Sequence, residues 1–200
     1  MEVMCWDGLV TSDVVAPHAP GELEFVRAFV NTYDIEDDVD RLRDASAWAD
    51  WMGTVGLDAK AAPSADDLAA ARELRESLRD ALLANHDRAP LPQSTADALT
   101  AAARRAGVVP RFGASGLQLE GASEGLDAVT ARVLAAVAAA LADGSFSRLK
   151  ACTNDTCRWA FYDHSRSRTG QWCSMAVCGN RAKQSRHRAA ARGGASPSAS

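Results

Sequence analysis

The 200-residue sequence lacks an apolar run long enough to cross a bilayer. Its longest, Val133 to Ala142, covers ten positions between Arg132 and Asp143, about half of what a spanning helix needs. The first residues, Met1-Glu2-Val3-Met4-Cys5-Trp6-Asp7, put no basic stretch ahead of an apolar one. No secretory leader is therefore expected, and the cytosol is the expected compartment. A phosphate-cradling glycine loop and a nucleophile elbow are both missing from the first 145 residues, which removes two common routes to catalysis there. Carboxylates disappear altogether after His164. What is present, 47% hydrophobic and 24% charged residues, excludes wholesale disorder and a fibrous repeat.

The net charge of −4 conceals a division. Residues 1–145 carry 12 Lys/Arg against 24 Asp/Glu, whereas residues 146–200 carry 10 against 2. An acidic segment followed by a basic one points to two functional halves, the second available to a polyanion. Cysteine divides the same way. Cys152, Cys157, Cys173 and Cys178 fall within 27 residues, and only Cys5 lies elsewhere. Without an export signal, such clustering argues for metal before disulfide, and Cys5 reads as a plain unpaired residue.

The first half reads mostly as helix. Leu23, Val26, Phe29 and Val30 repeat at three- and four-residue steps until Asn31-Thr32. The acidic run Asp34, Glu36, Asp37, Asp38 and Asp40 is expected in a solvated loop and first helical turn rather than in a cation site. Leu42, Ala45, Trp48, Ala49 and Met52 form a second stripe ending at Gly53 and Gly56, with Trp48 and Trp51 in the core. Ser64 is the expected N-cap of a third helix, with Asp67 completing the box. That helix buries Leu68, Ala71, Leu74, Leu78 and Leu82 and turns Arg72, Glu76, Arg75 and Arg79 to water. A helix from Ser94 to Ala106 follows, then a β-hairpin of Val109 to Phe112 against Leu117 to Leu119. Ser123 is the expected cap of a last long helix, which buries Leu126, Val129, Val133, Leu134, Val137 and Leu141 and stops at Asp143-Gly144. His18 and His86 are isolated and expected at the surface.

The informative segment is Cys152-Thr-Asn-Asp-Thr-Cys157, fifteen intervening residues, and Cys173-Ser-Met-Ala-Val-Cys178. Two close pairs separated by a short span suit a four-thiolate tetrahedral site, each pair curling round one side of the ion. Soft sulfur ligands favour zinc over magnesium or calcium, with an iron–sulfur cluster as the lesser alternative. From Ser147 onward the large apolar residues are only Leu149, Trp159, Phe161, Tyr162, Trp172, Met175 and Val177. Ordering some 40 residues there costs roughly 1–2 kcal/mol each, and a structural zinc worth on the order of 10 kcal/mol closes the gap. With four protein ligands the ion is structural rather than a Lewis acid. Zinc thiolates in cationic surroundings also allow a redox-sensing role, which the sequence does not decide.

Trp159-Ala-Phe161-Tyr162 has strand character, Ser165 to Gly170 is a basic turn, and Gln171-Trp172 is the expected return strand. From Asn180 the chain reads as helix, with Cys178 just before or within its first turn. Knuckle, hairpin and helix make a treble-clef-like arrangement. The helix places Arg181, Arg188 and Arg192 within about 40° of one another and Lys183 and Arg186 on another side; Arg166 and Arg168 sit on the turn. Arg166, Arg168, Arg181, Lys183, Arg186, His187, Arg188 and Arg192 are thus the candidate nucleic-acid contacts. A protein-docking surface and a merely solvated tail are the competing readings.

At these residues the sequence resembles the CGNR zinc finger proteins of bacteria. Cys178-Gly179-Asn180-Arg181 carries the signature, within Phe161-Tyr-Asp163-His-Ser165-Arg166, Trp172-Cys173-Ser174-Met175, Lys183 and Arg186. The first half is similar to the helical ABATE domain, through Phe25-Val26 to Phe29-Val30-Asn31-Thr32, Trp48 to Trp51 and Arg72-Glu73-Leu74-Arg75. The resemblance implies a stress-induced transcription regulator whose finger binds DNA and whose larger domain is a sensor or assembly module. Members often carry Arg before the Trp-Cys pair; Gln171 stands here, which implies one phosphate contact fewer.

The fold expected is α+β, mainly α. Residues 1–146 form a helical domain with a small hairpin, residues 147–192 a treble-clef-like four-cysteine zinc finger ending in a basic helix, and residues 193–200 a flexible tail. The expected function is that of a DNA-binding regulator, not an enzyme, at the nucleoid and without a membrane partner. An adaptor contacting the transcription machinery or another regulator is the alternative, and one finger often needs a second copy of the chain for specificity. His164, Asn180 and His187 loosely suggest a His-Asn-His nuclease, a reading disfavoured because His187 lies in a cationic run.

Overall fold

A computed structural model describes residues 16–59, 61–114 and 116–193, with side chains as far as Arg188. Cys5 and residues 194–200 lie outside the described residues. Among the described residues the chain is mainly helical with three small antiparallel strand pairs. Helix α1 (Leu23–Val30) leads into β1 (Tyr33–Asp34) and β2 (Val39–Asp40), then α2 (Ala45–Thr54), α3 (Ala65–Ala84) and α4 (Gln93–Arg105). A hairpin, β3 (Val109–Gly113) and β4 (Gly116–Glu120), precedes α5 (Gly125–Asp143). A 3₁₀ turn, Ser145–Arg148, enters β5 (Leu149–Ala151), which pairs with β6 (Ala160–Tyr162); a π-turn, Met175–Gly179, then runs into α6 (Asn180–Gly193).

Helices α1, α3 and α5 pack together around Val26, Phe29, Leu78, Leu82, Val129, Val133 and Val137, all nearly or fully buried. Trp48 and Trp51 stack against this core from α2, 5.4 Å apart and tilted, beside Phe25 and Phe29. Ser64 and Asp67 form the expected reciprocal cap of α3, and the α3 stripe from Leu68 to Leu82 is buried throughout. By length and composition α5 could cross a membrane, but half of that stretch is buried. It is the central helix of the core.

Several expectations are corrected. The acidic run is a tight β-turn-β unit and not a helical turn: Asp34 Oδ1 accepts from the Glu36 and Asp37 amides, and Asp38 takes a left-handed φ of 52°. Ser123 does not cap α5; Glu124 holds that position, without a side-chain hydrogen bond to the helix. Ala49 and Leu141 face outward. His86 is half-buried, its Nε2 2.7 Å from the Ala151 carbonyl, whereas His18 is exposed beside Glu24.

The largest correction concerns Arg75 and Arg79, which are only 2% and 3% exposed. Arg75 forks onto Asp40 (2.6 and 3.0 Å) and reaches Glu76 through Nε. Arg79 holds Glu76 with Nε, and its other nitrogens donate to the carbonyls of Val30, Tyr33 and Arg158. Helical spacing alone assigns both arginines to solvent, but long-range folding brings carbonyls and an acid onto that face.

The cysteine segment is docked into the helical core and not tethered beside it. Leu149, Ala151, Ala160 and Tyr162 belong to the same buried cluster as Phe29 and Leu78. Asn31 acts as a surrogate strand, its Nδ2 donating to the Ala160 carbonyl (3.0 Å) and its Oδ1 accepting from the Ala160 amide (2.7 Å). Asn85 Nδ2 donates to the carbonyls of Phe146 and Leu149. Replacing Asn31 with Ala strands two buried backbone groups at roughly 1–3 kcal/mol each. Asn31→Ala should therefore lower stability by roughly 2–4 kcal/mol in urea titration, with faster hydrogen exchange at the Ala160 amide.

Candidate metal centre and basic surface

The site begins with two elements that each present a pair of cysteines. Cys152 and Cys157 lie in the connection between β5 and β6, where Cys152 N–H donates to the Trp159 carbonyl and the Cys157 and Arg158 amides close onto the Asn154 carbonyl. Cys173 precedes the π-turn and Cys178 lies inside it. Ser174 caps that turn, its hydroxyl accepting from the Val177 amide. The expected pairing of 159–162 with Gln171-Trp172 does not form. The partner of β6 is β5, so the strand pair encloses the first knuckle, and Gln171 instead accepts from the Thr153 amide and hydroxyl. A three-residue strand ahead of a cysteine carries little periodic signal, and its pairing is settled by the fold.

All four cysteines are buried, and their sulfurs lie within 4.8 Å of one another. Cys173 Sγ is 3.6 Å from Cys157 Sγ and 3.8 Å from Cys178 Sγ. A tetrahedral zinc with bonds of about 2.3 Å requires sulfurs about 3.8 Å apart, whereas a disulfide requires about 2.05 Å. The donor set fits the ion. Without a cation the sulfurs conflict. Hydrogen bonds from Cys157 and Cys173 favour a thiolate at Cys152; its presence, with burial, pushes Cys157 up to about 12 and Cys173 further in the same direction. A dication relieves that conflict and displaces protons as it binds. The site can hold one zinc ion with no position left open.

Around the sulfurs, Phe161 is buried and Trp159, Trp172 and Val177 are half-buried, a small cluster separate from the helical core. Gly179 is closely approached: a Cβ there would sit 3.0 Å from Met175 Sδ, so that side chain would have to shift slightly. At Gly170 a Cβ would come within 3.0 Å of the Asp163 carboxylate. That carboxylate anchors the basic loop, accepting from the Ser165 and Gly170 amides and from Lys150 Nζ at 2.9 Å. Burial alone would raise its pKa. The hydrogen bonds from Ser165, Lys150 and Gly170 outweigh burial and hold the carboxyl well below the ordinary range.

Lys150, 1% exposed, also donates to the carbonyls of Arg168 (2.7 Å) and Gly170 (3.3 Å). Arg158 and Arg168 adopt left-handed φ of 53° and 55°, a conformation that costs a side-chain-bearing residue roughly 1–3 kcal/mol. In both cases the strained residue's carbonyl is held by a buried cation, Arg79 for the first and Lys150 for the second.

A family model described as "CGNR zinc finger" matches residues 148–191, and the ABATE model, described as "Putative stress-induced transcription regulator", matches residues 23–144. The chain belongs to the ABATE family. No curated protein matches it. The ABATE match precedes the finger match, and the four sulfurs of this ABATE–CGNR chain lie within the second.

The candidate contacts of the ABATE–CGNR chain do not form one uniform surface. Arg166, Arg168, Lys183, Arg186, His187 and Arg188 are exposed, and Arg192 lies on the last turn of α6. Arg181 is taken by Glu36 of the acidic turn, 2.7 Å away. Lys183, Arg186 and His187 lie at least about 120° round the helix from it, on the side away from that acid. His164, Asn180 and His187 are not brought together. His164 Nε2 meets the His18 carbonyl and Asn180 Nδ2 donates to the Ala176 carbonyl.

The roles of Lys150, Asn31, Arg79 and Asn85 are not evident from sequence; at Lys150 the available signal is a lysine two residues before the first knuckle cysteine, inside a hydrophobic strand. Breaking its buried pair leaves an uncompensated carboxylate. Lys150→Met should cost the zinc-loaded protein roughly 3–5 kcal/mol in chemical denaturation, while Lys183→Met on exposed α6 should change stability by less than about 0.5 kcal/mol. Cys173→Ser should abolish stoichiometric zinc in elemental analysis.

Proposed function

We propose that this chain is a DNA-binding transcription regulator of the cytosol and nucleoid, with no catalytic role. Its zinc finger presents the outward stripe of α6 and the Ser165–Gly170 loop to phosphates, and its helical domain serves as a sensor or assembly module. One observation carries the reading. Arg166, Arg168, Lys183, Arg186 and Arg188 are exposed without a carboxylate partner among the described residues, in a segment without acids beyond His164. The loop carrying Arg166 and Arg168 is pinned by a buried ion pair, so two cations are offered at low ordering cost. A single finger contacts few base pairs, so a defined site calls for two copies of the chain.

A second reading rests on a different surface. The register of β3 and β4 pairs Pro110 with Leu119 and Phe112 with Leu117 on one face of the hairpin. Phe112 is 82% and Leu117 60% exposed. An apolar face of that kind suits an adaptor that docks the transcription machinery or another regulator. Recovery of a stoichiometric protein partner by a chain that ignores DNA, with loss of capture in Phe112→Ser/Leu117→Ser, would favour it.

Fluorescence anisotropy with duplex DNA and the zinc-loaded chain tests the first reading. Neutralising about five phosphates predicts affinity falling a few hundred-fold between roughly 50 and 200 mM salt. Lys183→Ala/Arg186→Ala should weaken binding at least about tenfold and reduce the salt slope by about 2. Arg181→Ala, whose charge is already engaged by Glu36, should cost less than about threefold. A flat salt response contradicts the reading.

A further inference from the structure

A cavity of about 260 Å³ opens between α3, α4 and α5, on the helical domain and apart from the cysteine site. Its walls are short because Ala70, Ala98, Ala101 and Ala102 face each other where larger side chains would close the gap, with Leu74 and Leu126 completing the apolar surface. An apolar cavity of about 150 Å³ accepts benzene, so this one has room for a single ring and a short arm. It falls just below the roughly 300–1,000 Å³ usual for ligand pockets, as suits a small ligand.

The polar groups are unevenly satisfied. Arg105 is held by Asp67 at 2.6 Å, and Asp67 also caps α3 through Ser64, so that pair is fixed. Glu73 and Asp127 line the cavity with exposed carboxylates, and neither forms a salt bridge or side-chain hydrogen bond among the described residues. Thr130 lines it too. That threonine is only 8% exposed, and its hydroxyl has no hydrogen-bond partner among the described residues. That hydroxyl is not sealed off, since Trp48 Nε1 is the buried unpartnered side-chain polar atom among the described residues; Thr54 and Thr100, also on helices, turn back to backbone carbonyls instead. The one cation in the lining is held by Asp67 and also feels Asp127, Glu73 and Asp127 form no salt bridge among the described residues, and the Thr130 hydroxyl is left for an incoming polar atom.

We propose that this cavity binds a small organic cation, a primary ammonium on a compact apolar body. The ring or alkyl body occupies the alanine-lined space, and the ammonium donates to Thr130 Oγ1 and to the carboxylates of Glu73 and Asp127. An anion of the same shape meets the two carboxylates of Glu73 and Asp127 that form no salt bridge and is disfavoured. A neutral isostere keeps the apolar contact but loses the charge. This deepens the sensor role proposed for the helical domain, yet it does not require the finger to bind DNA, because ligand capture and DNA affinity are read separately.

The test uses the zinc-loaded, isotope-labelled full chain titrated with 2-phenylethylamine, 2-phenylethanol and phenylacetate, following backbone amide signals. The amine should saturate with a dissociation constant in the roughly millimolar range expected of so small a ligand, with shifts centred on Ala98–Ala102 and Leu126–Thr130. The alcohol should bind at least about fivefold more weakly and phenylacetate more weakly still. Glu73→Gln/Asp127→Asn, both at exposed positions, should erase the preference for amine over alcohol, and Thr130→Val should weaken the amine by about threefold. Ala102→Leu should fill the cavity and abolish all binding; if that variant fails to fold, the exposed double variant still decides. Equal affinity for amine and alcohol, an unsaturable response, shifts confined to other surfaces, or an unaltered amine affinity in the double variant would each overturn the proposal.

Discussion

Four buried sulfurs within 4.8 Å of one another cannot all carry charge unless a cation sits among them, and the rest of the carboxyl-terminal module follows from that constraint. Only a small aromatic and aliphatic cluster surrounds the thiols. Among the described residues the π-turn and α6 have no larger core of their own to hold them. A dication replaces protons with coordinate bonds and ties the two cysteine pairs together. It supplies the free energy that sparse apolar burial does not. Gly179 reflects the same closeness, since a Cβ there would press on Met175 where it covers the turn.

The module is also anchored from the opposite side. Arg79, Asn31, Asn85 and His86 reach from the helical domain to backbone groups of the 146–160 segment. The finger's first strand pair is therefore part of the helical core, and only its distal portion depends on the ion. Two left-handed arginines, 158 and 168, mark where the chain bends around the site, and buried cations hold both bends. The acidic turn and the basic helix meet through Glu36 and Arg181, so the charge division along the chain becomes a contact in space. That contact is exposed and salt-screened; it orients α6 more than it stabilises it.

Much of this was legible in the sequence because the signals were local. The cysteine spacing identified the ligand set, Ser64 and Asp67 marked the start of α3, and the leucine stripe marked its buried face. Loss of the helical period with Gly113 and Gly116 marked the hairpin of Val109 to Phe112 against Leu117 to Leu119. The failures were long-range. Arg75 and Arg79 sit at helix positions that look solvated until Asp40 and the Val30, Tyr33 and Arg158 carbonyls arrive from elsewhere. Likewise β5 is three residues long, and its pairing with β6 across the knuckle depends on the helical core beneath. Lys150 reads as a surface charge unless Asp163 is known to fold over it. Nothing local marks the α3–α4–α5 cavity either, since runs of alanine look like ordinary helix and the gap exists only once three helices have packed.

Hydrogen exchange of the full chain, compared before and after removal of zinc by a strong chelator under reducing conditions, shows whether the ion orders the carboxyl-terminal module. Residues 171–193 should lose protection on chelation while α1, α3 and α5 keep theirs, and stoichiometric zinc should restore it. Unchanged protection of residues 171–193 in metal-free protein would sink this reading, because the sulfur cage would then contribute nothing to the order of the segment that surrounds it.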